Sequence, residues 1–368
     1  MPANSTTSAN AEPSPLTPGS KLARLGGIGA IVLIVAGAFL CLGGWFSPKA
    51  LTPARFVDTF ERVNGVYPGF RRNHAKGVCV AGFFESNGQG VRLSKALVFE
   101  SGRVPVIGRF SFGGGDPYVA DAPGAVRGMG LLFSLPDGEQ WRTAMINLPV
   151  FPFKNPQGFA DNLVASRPDP RTGKPDPEKM AAFAANHPET VEAIKVIKSH
   201  GFASGFDNSI FYGLNAFRFV NADGASVPVR WSMVPVRPFA VADTTGPPPS
   251  DKYYLFGALI ESLLQHPVQW HLIITVGKPG DPTDDASQVW PDGREQVDVG
   301  TLTLDHVESE ETSPARDINF DPLILPAGIA PSDDPLLSAR SAVYSQSFTR
   351  RAGEAKKPSA ITPSDIRK

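Results

Sequence analysis

The longest apolar stretch of the chain comes near its start. From Leu25 to Pro48 there are 24 consecutive positions without a charged residue. The run GGIGAIVLIVAGAFLCLGGWF inside it is long enough for a helix crossing about 30 Å of hydrocarbon. This pattern predicts a transmembrane anchor over residues 25–48. Lys21 and Arg24 precede it, and positive charge on a short N-terminal flank favours the cytoplasm, so the rest of the chain is expected outside it, in the periplasm if the cell is bacterial. The competing reading is a cleaved signal peptide, whose apolar core usually spans only about 7 to 15 residues. Residues 1–20, rich in Ser, Thr, Pro and Ala with Glu12 as the only charged side chain, predict a disordered tail.

Beyond the apolar run the pattern shortens to that of strands. GVCVAGFFES (77–86) and RVPVIGRFSF (103–112) have the Val and Phe content of strands bounded by turn residues. In residues 211–234 two runs flank Asn221-Ala222-Asp223-Gly224, a turn whose Gly tolerates positive φ. QWHLIITVGK and VDVGTLTLDHV predict a second pair of strands around the loop 279–294. Helices are fewer. Pro177 opens one, and Pro188 opens another that would bury Val191, Ile194 and Ile197 on one face. Strands with inserted helices make an α+β architecture. The basic stretch at 354–368 predicts a solvated tail.

Composition narrows the function. With 35 Lys+Arg against 36 Asp+Glu in 368 residues, there is no basic excess of the kind that nucleic acid selects. At 42% hydrophobic and 19% charged, the chain is able to bury a large core. Its 36 Gly and 36 Pro argue against a helical bundle. Two cysteines, Cys41 and Cys79, form no CxxC motif, and Leu40 is bulky where a lipoprotein site before Cys41 needs a small residue. HExxH, P-loop, GxGxxG and GxSxG motifs are absent.

Two segments carry candidate chemistry. In Arg71-Arg72-Asn73-His74-Ala75-Lys76-Gly77 an imidazole sits at the mouth of a strand among cations, a setting for a proton shuttle beside an anionic ligand. The plainer reading is a satisfied or surface histidine. In the second segment, Arg340 and Tyr344 fall one turn apart if the region is helical, with Arg351 two turns further. A tyrosine beside arginine ionises more easily, and more so on ferric iron. The plainer reading is an exposed amphipathic helix.

Taken in order, RRNHAKG, IGRFSF, INLPVF, QVWPDG with VGTLTL, FDPLILPAGIAPS and RSAVYSQSFTRR resemble the core of the haem catalases over residues 55–353. The chain is similar in particular to the catalase-related peroxidases, a short branch of that superfamily. The resemblance implies an antiparallel β-barrel core, haem b as cofactor and Tyr344 as the proximal iron ligand, with Arg340 bonded to its oxygen. It also implies that His74 is the distal histidine, Ser111 its hydrogen-bond partner and Asn147 the distal asparagine. Arg71, Arg109 and Arg351 would pair with the haem propionates, where planar forks suit carboxylates. On this reading His74 moves a proton between the two peroxide oxygens while Asn147 holds the leaving one. The missing N-terminal arm and C-terminal domain would leave the haem open, which favours a small organic reductant. The expected partners are that reductant and peroxide, with the chain a monomer or small homo-oligomer. A true catalase and a non-catalytic exported haem-binding protein are the alternatives. Gln346 and the stretch Asp121-Ala122-Pro123-Gly124 depart from the family pattern.

Overall fold

The computed structural model describes residues 17–42, 50–243 and 249–366. They fall into two units, divided after Thr52. In the first, helix α1 (Pro18–Leu42) contains 25 residues and begins seven positions before the predicted start. Pro at the first helical position is tolerated because its missing N–H has no intrahelical partner there. Residues 18–20 therefore belong to the helix instead of the predicted tail, while residues 1–16 and 43–48 of the two predicted segments lie outside the described residues. By length and composition α1 is able to cross a membrane.

The second unit is built on ten antiparallel strands: β1 (Gly77–Ser86), β2 (Gly102–Phe112), β3 (Arg127–Ser134), β4 (Gln140–Ile146), β5 (Phe211–Tyr212), β6 (Phe217–Val220), β7 (Ser226–Pro235), β8 (Val268–Val276), β9 (Glu295–Glu308) and β10 (Ile329–Pro331). The order β7-β5-β4-β3-β2-β1-β9-β8 closes on itself through β7–β8 pairing, giving an eight-stranded barrel. Strands β6 and β10 extend it beside β7. Closure removes the exposed edges that an open sheet would present. Alternation along β4 sends one set of side chains inward: Trp141, Thr143 and Met145 are buried between half-buried neighbours. Phe84, Phe110, Phe133, Trp231 and Trp270 complete the aromatic interior. Each such side chain contributes about 1.5–3 kcal/mol on burial.

All four predicted strand regions are present. The turn before β7 follows the expected chemistry, with Gly224 at φ +83°. Strands β3 and β4 were not foreseen from the sequence. Helices α2 (Pro53–Asn64), α3 (Pro156–Ala165), α4 (Pro177–Asn186), α5 (Pro188–His200), α6 (Tyr254–Gln265) and α7 (Pro335–Ala352) cover the barrel. On α5 the buried face is Thr190, Ala193 and Ile197, whereas Ile194 is exposed. The expected face is thus rotated.

Salt bridges tie α7 to α2: Arg350 lies 2.6 Å from Asp58 and 3.0 Å from Glu61. Arg72 joins Glu61 at 2.7 Å and Glu354 at 2.5 Å. The predicted solvated tail at 354–368 is exposed at residues 355–358 but packs inward beyond them. Ser359, Ile361 and Ile366 are buried, the two isoleucines within the main core. Apolar residues spaced among the basic ones draw this segment back onto the barrel.

Candidate active site

A cavity of about 470 Å³ opens between the barrel and helices α2, α3 and α7. Its walls are mainly apolar, with Phe56, Phe60 and Phe159 on the helical side. Seven of the eight candidate residues line it: Arg71, His74, Arg109, Ser111, Arg340, Tyr344 and Arg351. The eighth, Asn147, stands in the wall between Ile146 and Leu148, both of which face the cavity. The structure therefore gathers residues from the start, middle and end of the domain.

His74 precedes β1 with its backbone at φ 58°, a left-handed conformation uncommon outside Gly. Such strain persists only where surroundings over-determine it. Arg109 on β2 provides that hold, since Nη1 donates to the His74 carbonyl at 2.9 Å and Nη2 to the Ala75 carbonyl at 3.0 Å. Ser111, two residues further along β2, places Oγ 3.1 Å from His74 Nδ1. Behind them Gly128 of β3 leaves the necessary room: a Cβ there would lie 2.8 Å from Ser111 Oγ and 3.0 Å from His74 Cε1. Burial, reinforced by Arg109, Arg71 and Arg340, pushes the His74 imidazole down to about 3. The ring is thus neutral and able to accept a proton.

Asn147 is held by Arg127, whose backbone N–H donates to Asn147 Oδ1 at 2.8 Å. Its Nδ2 is buried without a partner. A buried amide donor left free is costly unless something fills its site.

Three guanidinium groups, of Arg71, Arg109 and Arg351, also line the cavity. Arg71 Nε and one terminal nitrogen of Arg351, Nη2, are likewise buried without partners. Arg71 donates through Nη2 to the carbonyls of Arg316 and Ile318 at 3.0 and 2.8 Å. Arg351 Nη1 donates to the Arg316 carbonyl at 2.8 Å. Desolvation and mutual repulsion with Arg351 and Arg109 hold Arg71 well below the usual guanidinium range, and Arg351 falls to about 10 mainly by burial. Against them stands Glu310, which accepts from Arg109 Nε at 2.7 Å. The remaining positive charge and the free donors suit an anion.

On α7, Asp334 caps the helix by accepting from Leu336 N, and Pro335 occupies the first turn. The other Asp334 oxygen accepts from Asn215 Nδ2 at 2.7 Å, and Asn215 Oδ1 accepts from Arg340 at 2.5 Å. Arg340 and Tyr344 lie one turn apart as expected, but their contact runs through the ring, with the guanidinium 5.8 Å from its centroid. The expected bond from Arg340 to the phenol oxygen is corrected: its terminal nitrogens go to Asn215 and the Ala144 carbonyl.

The departure at Asp121 also has a structural reason. Its carboxylate lies 2.5 Å from Lys76 Nζ, both side chains fully buried, and accepts from the N–H groups of Leu255 and Phe256 at the start of α6. It anchors the segment following His74. Glu310, Asn215, Asp334 and Gly128 were missed as site residues from the sequence, and only the Asp-Pro pair opening α7 carried a local signal. The remaining histidines lie outside the cavity, and Cys79, pushed up to about 12 by burial, is unsuited to nucleophilic work.

The family model described as Catalase matches residues 48–358. The chain belongs to the catalase family. It is 38% identical to a catalase-related peroxidase of Synechococcus elongatus over 88% of this chain and 95% of that protein. A catalase-related peroxidase of Mycolicibacterium paratuberculosis is 32% identical over 82% and 96%. The catalase of Sus scrofa is 28% identical, and the match covers 76% of this chain but 56% of the longer protein. Among solved structures, a fungal catalase superposes with a TM-score of 0.71 at 20% identity, covering 83% of this chain and 64% of that one. The catalase fold is thereby shared by the closed barrel and its helices, as expected from the sequence.

Proposed function

We propose that the protein is a haem peroxidase of the catalase superfamily, reducing hydrogen peroxide or organic hydroperoxides at the expense of a small organic donor. The observation that carries this reading is the set of free buried donors on Asn147, Arg71 and Arg351 around one cavity that also holds His74 and Tyr344. Haem b fits that set. Its planar apolar body suits the phenylalanine-lined walls, and its two propionates suit Arg71 and Arg351. Arg109 lends a third charge while keeping its Nε on Glu310. Among the described residues no group of three or more His, Cys, Asp or Glu is placed to hold a bare metal ion. A phenolate from Tyr344 is the ligand this cavity offers for an iron already held in a macrocycle.

When bound, haem supplies the redox chemistry at iron. The chain supplies the rest. His74, neutral and held in position by Ser111, takes a proton from one peroxide oxygen and delivers it to the other. Asn147 Nδ2 donates to the peroxide and keeps it beside the imidazole. The mainly apolar walls lower the local dielectric around these few polar contacts. The names and nearly full-length match of the two catalase-related peroxidases support an organic donor over dismutation.

We place the haem domain at residues 55–353 outside the cytoplasm, joined to a membrane by α1 as a single-pass anchor with a cytoplasmic N-terminus. Lys21 and Arg24 at its start support that orientation. The test is a visible spectrum of the full chain, solubilised with haem and followed through peroxide addition. A tyrosinate-type ferric spectrum that changes with peroxide and recovers with an added phenol is expected. A chain that folds but takes up no haem would overturn the reading.

A further inference from the structure

Outside the cavity, one tyrosine has a built-in proton acceptor. Tyr212, on the short strand β5, places its hydroxyl 3.2 Å from Nε2 of His200, the last residue of α5, within hydrogen-bond reach. Burial pushes Tyr212 up to about 12 and lowers His200 below the ordinary imidazole range, so the tyrosine keeps its proton at rest and the imidazole is free to accept one.

The pair spans from the cavity wall to the surface. Tyr212 pairs in register with Ile146, the residue before Asn147, and packs on Leu214, Ala286 and Leu336. Ile146, Leu214, Ala286 and Leu336 all line the cavity. The tyrosine ring is therefore one side-chain layer behind the site. At the outer end, His200 meets Phe239 with ring centroids 5.7 Å apart. Phe239 is 38% exposed and Val241 is 67% exposed, an apolar aromatic patch beside the imidazole.

We propose that Tyr212, with His200 as its proton acceptor, relays electrons into the haem site from aromatic donors that dock at Phe239 and are too large to enter the cavity. This rests on the peroxidase reading. Tyr212 loses one electron to the site oxidised by peroxide, and its O–H bond breaks with the proton moving to His200 Nε2, leaving a neutral tyrosyl radical. A phenolic donor at the patch gives one electron to that radical. The proton held on His200 returns to the tyrosine oxygen, and the donor's own proton goes to water. Two such cycles supply the two electrons that, with two protons, reduce one peroxide to an alcohol and water, or to two waters.

Tyr212→Phe keeps the ring and removes only the hydroxyl. The full haem-loaded chain is mixed with peroxide and frozen for electron paramagnetic resonance, and a parallel sample is spin-trapped and mapped by peptide mass spectrometry. The expected result is a tyrosyl signal, with trap adduct on Tyr212, that disappears in Tyr212→Phe together with oxidation of a polymer-bound phenol. Oxidation of free small phenol and the peroxide-induced change in the haem spectrum should persist. His200→Gln should weaken the radical signal without altering the resting spectrum. An unchanged signal in Tyr212→Phe, or undiminished oxidation of the polymer-bound phenol, would overturn the relay while leaving the peroxidase reading intact. Failure of the wild-type haem spectrum to respond to peroxide would instead strike the peroxidase reading itself.

Discussion

Glu310 and Arg109 form a buried ion pair across 201 positions of sequence, with Oε1 2.7 Å from Nε. The pair sets the orientation of a guanidinium whose terminal nitrogens hold the carbonyls of His74 and Ala75. A carboxylate outside the cavity thus reaches the imidazole inside it through two short links.

Removing that carboxylate leaves an uncompensated buried charge. Glu310→Ala should lower unfolding stability by about 3–5 kcal/mol, measured by chemical denaturation. The variant should also lose peroxide reactivity in the fraction that remains folded. Full stability would show that Arg109 is neutralised by another group.

His74→Gln should still bind haem but react with peroxide about 10²–10⁴-fold more slowly, the usual contribution of a positioned acid-base group. Stopped-flow absorbance provides the rate. Wild-type reactivity would remove His74 from the proton path.

The same histidine gives stability a pH dependence. Its folded pKa of about 3 lies below the ordinary value of 6.5. Between those values the unfolded chain binds the proton and the folded chain does not, so stability falls as pH drops from about 6.5 towards 3. Thermal melting across that window should show a shallower loss for His74→Gln than for the wild type. Parallel curves would place the acid sensitivity in other groups.

Tyr344→Phe should abolish stable haem uptake while preserving the far-ultraviolet circular dichroism of the apoprotein. Tyr344 lines the cavity from α7, and phenylalanine keeps its packing. Retention of an unchanged haem spectrum would show that iron is held elsewhere.

Gly128→Ala adds one methyl group where Ser111 Oγ and His74 Cε1 would be 2.8 and 3.0 Å away. One of them must move, and the hydrogen bond between them is expected to break. Peroxide reactivity should fall with little change in haem content, whereas equal reactivity would mean that the pocket relaxes freely.

Much of this protein was legible one segment at a time. The unbroken apolar run around Ile31 and Val35 marked helix α1, long and apolar enough to cross a membrane. The Val and Phe content of GVCVAGFFES and the alternation in QWHLIITVGK made strands β1 and β8 visible. Ordered motifs around His74, Asn147 and Tyr344 placed the chain near its family, since their residue types and order survive as letters. What the letters did not carry is distance. Strand β3 lacks a simple surface alternation because the barrel buries successive positions on both faces, as at Gly128, Met129, Leu131 and Leu132. The contacts Glu310–Arg109, Asn215–Asp334 and Arg72–Glu354 join residues separated by 119 to 282 positions. Local propensity does not encode such pairs. Barrel closure and the packing of α7 decide them, because only there do buried charges need partners and small residues need to be small.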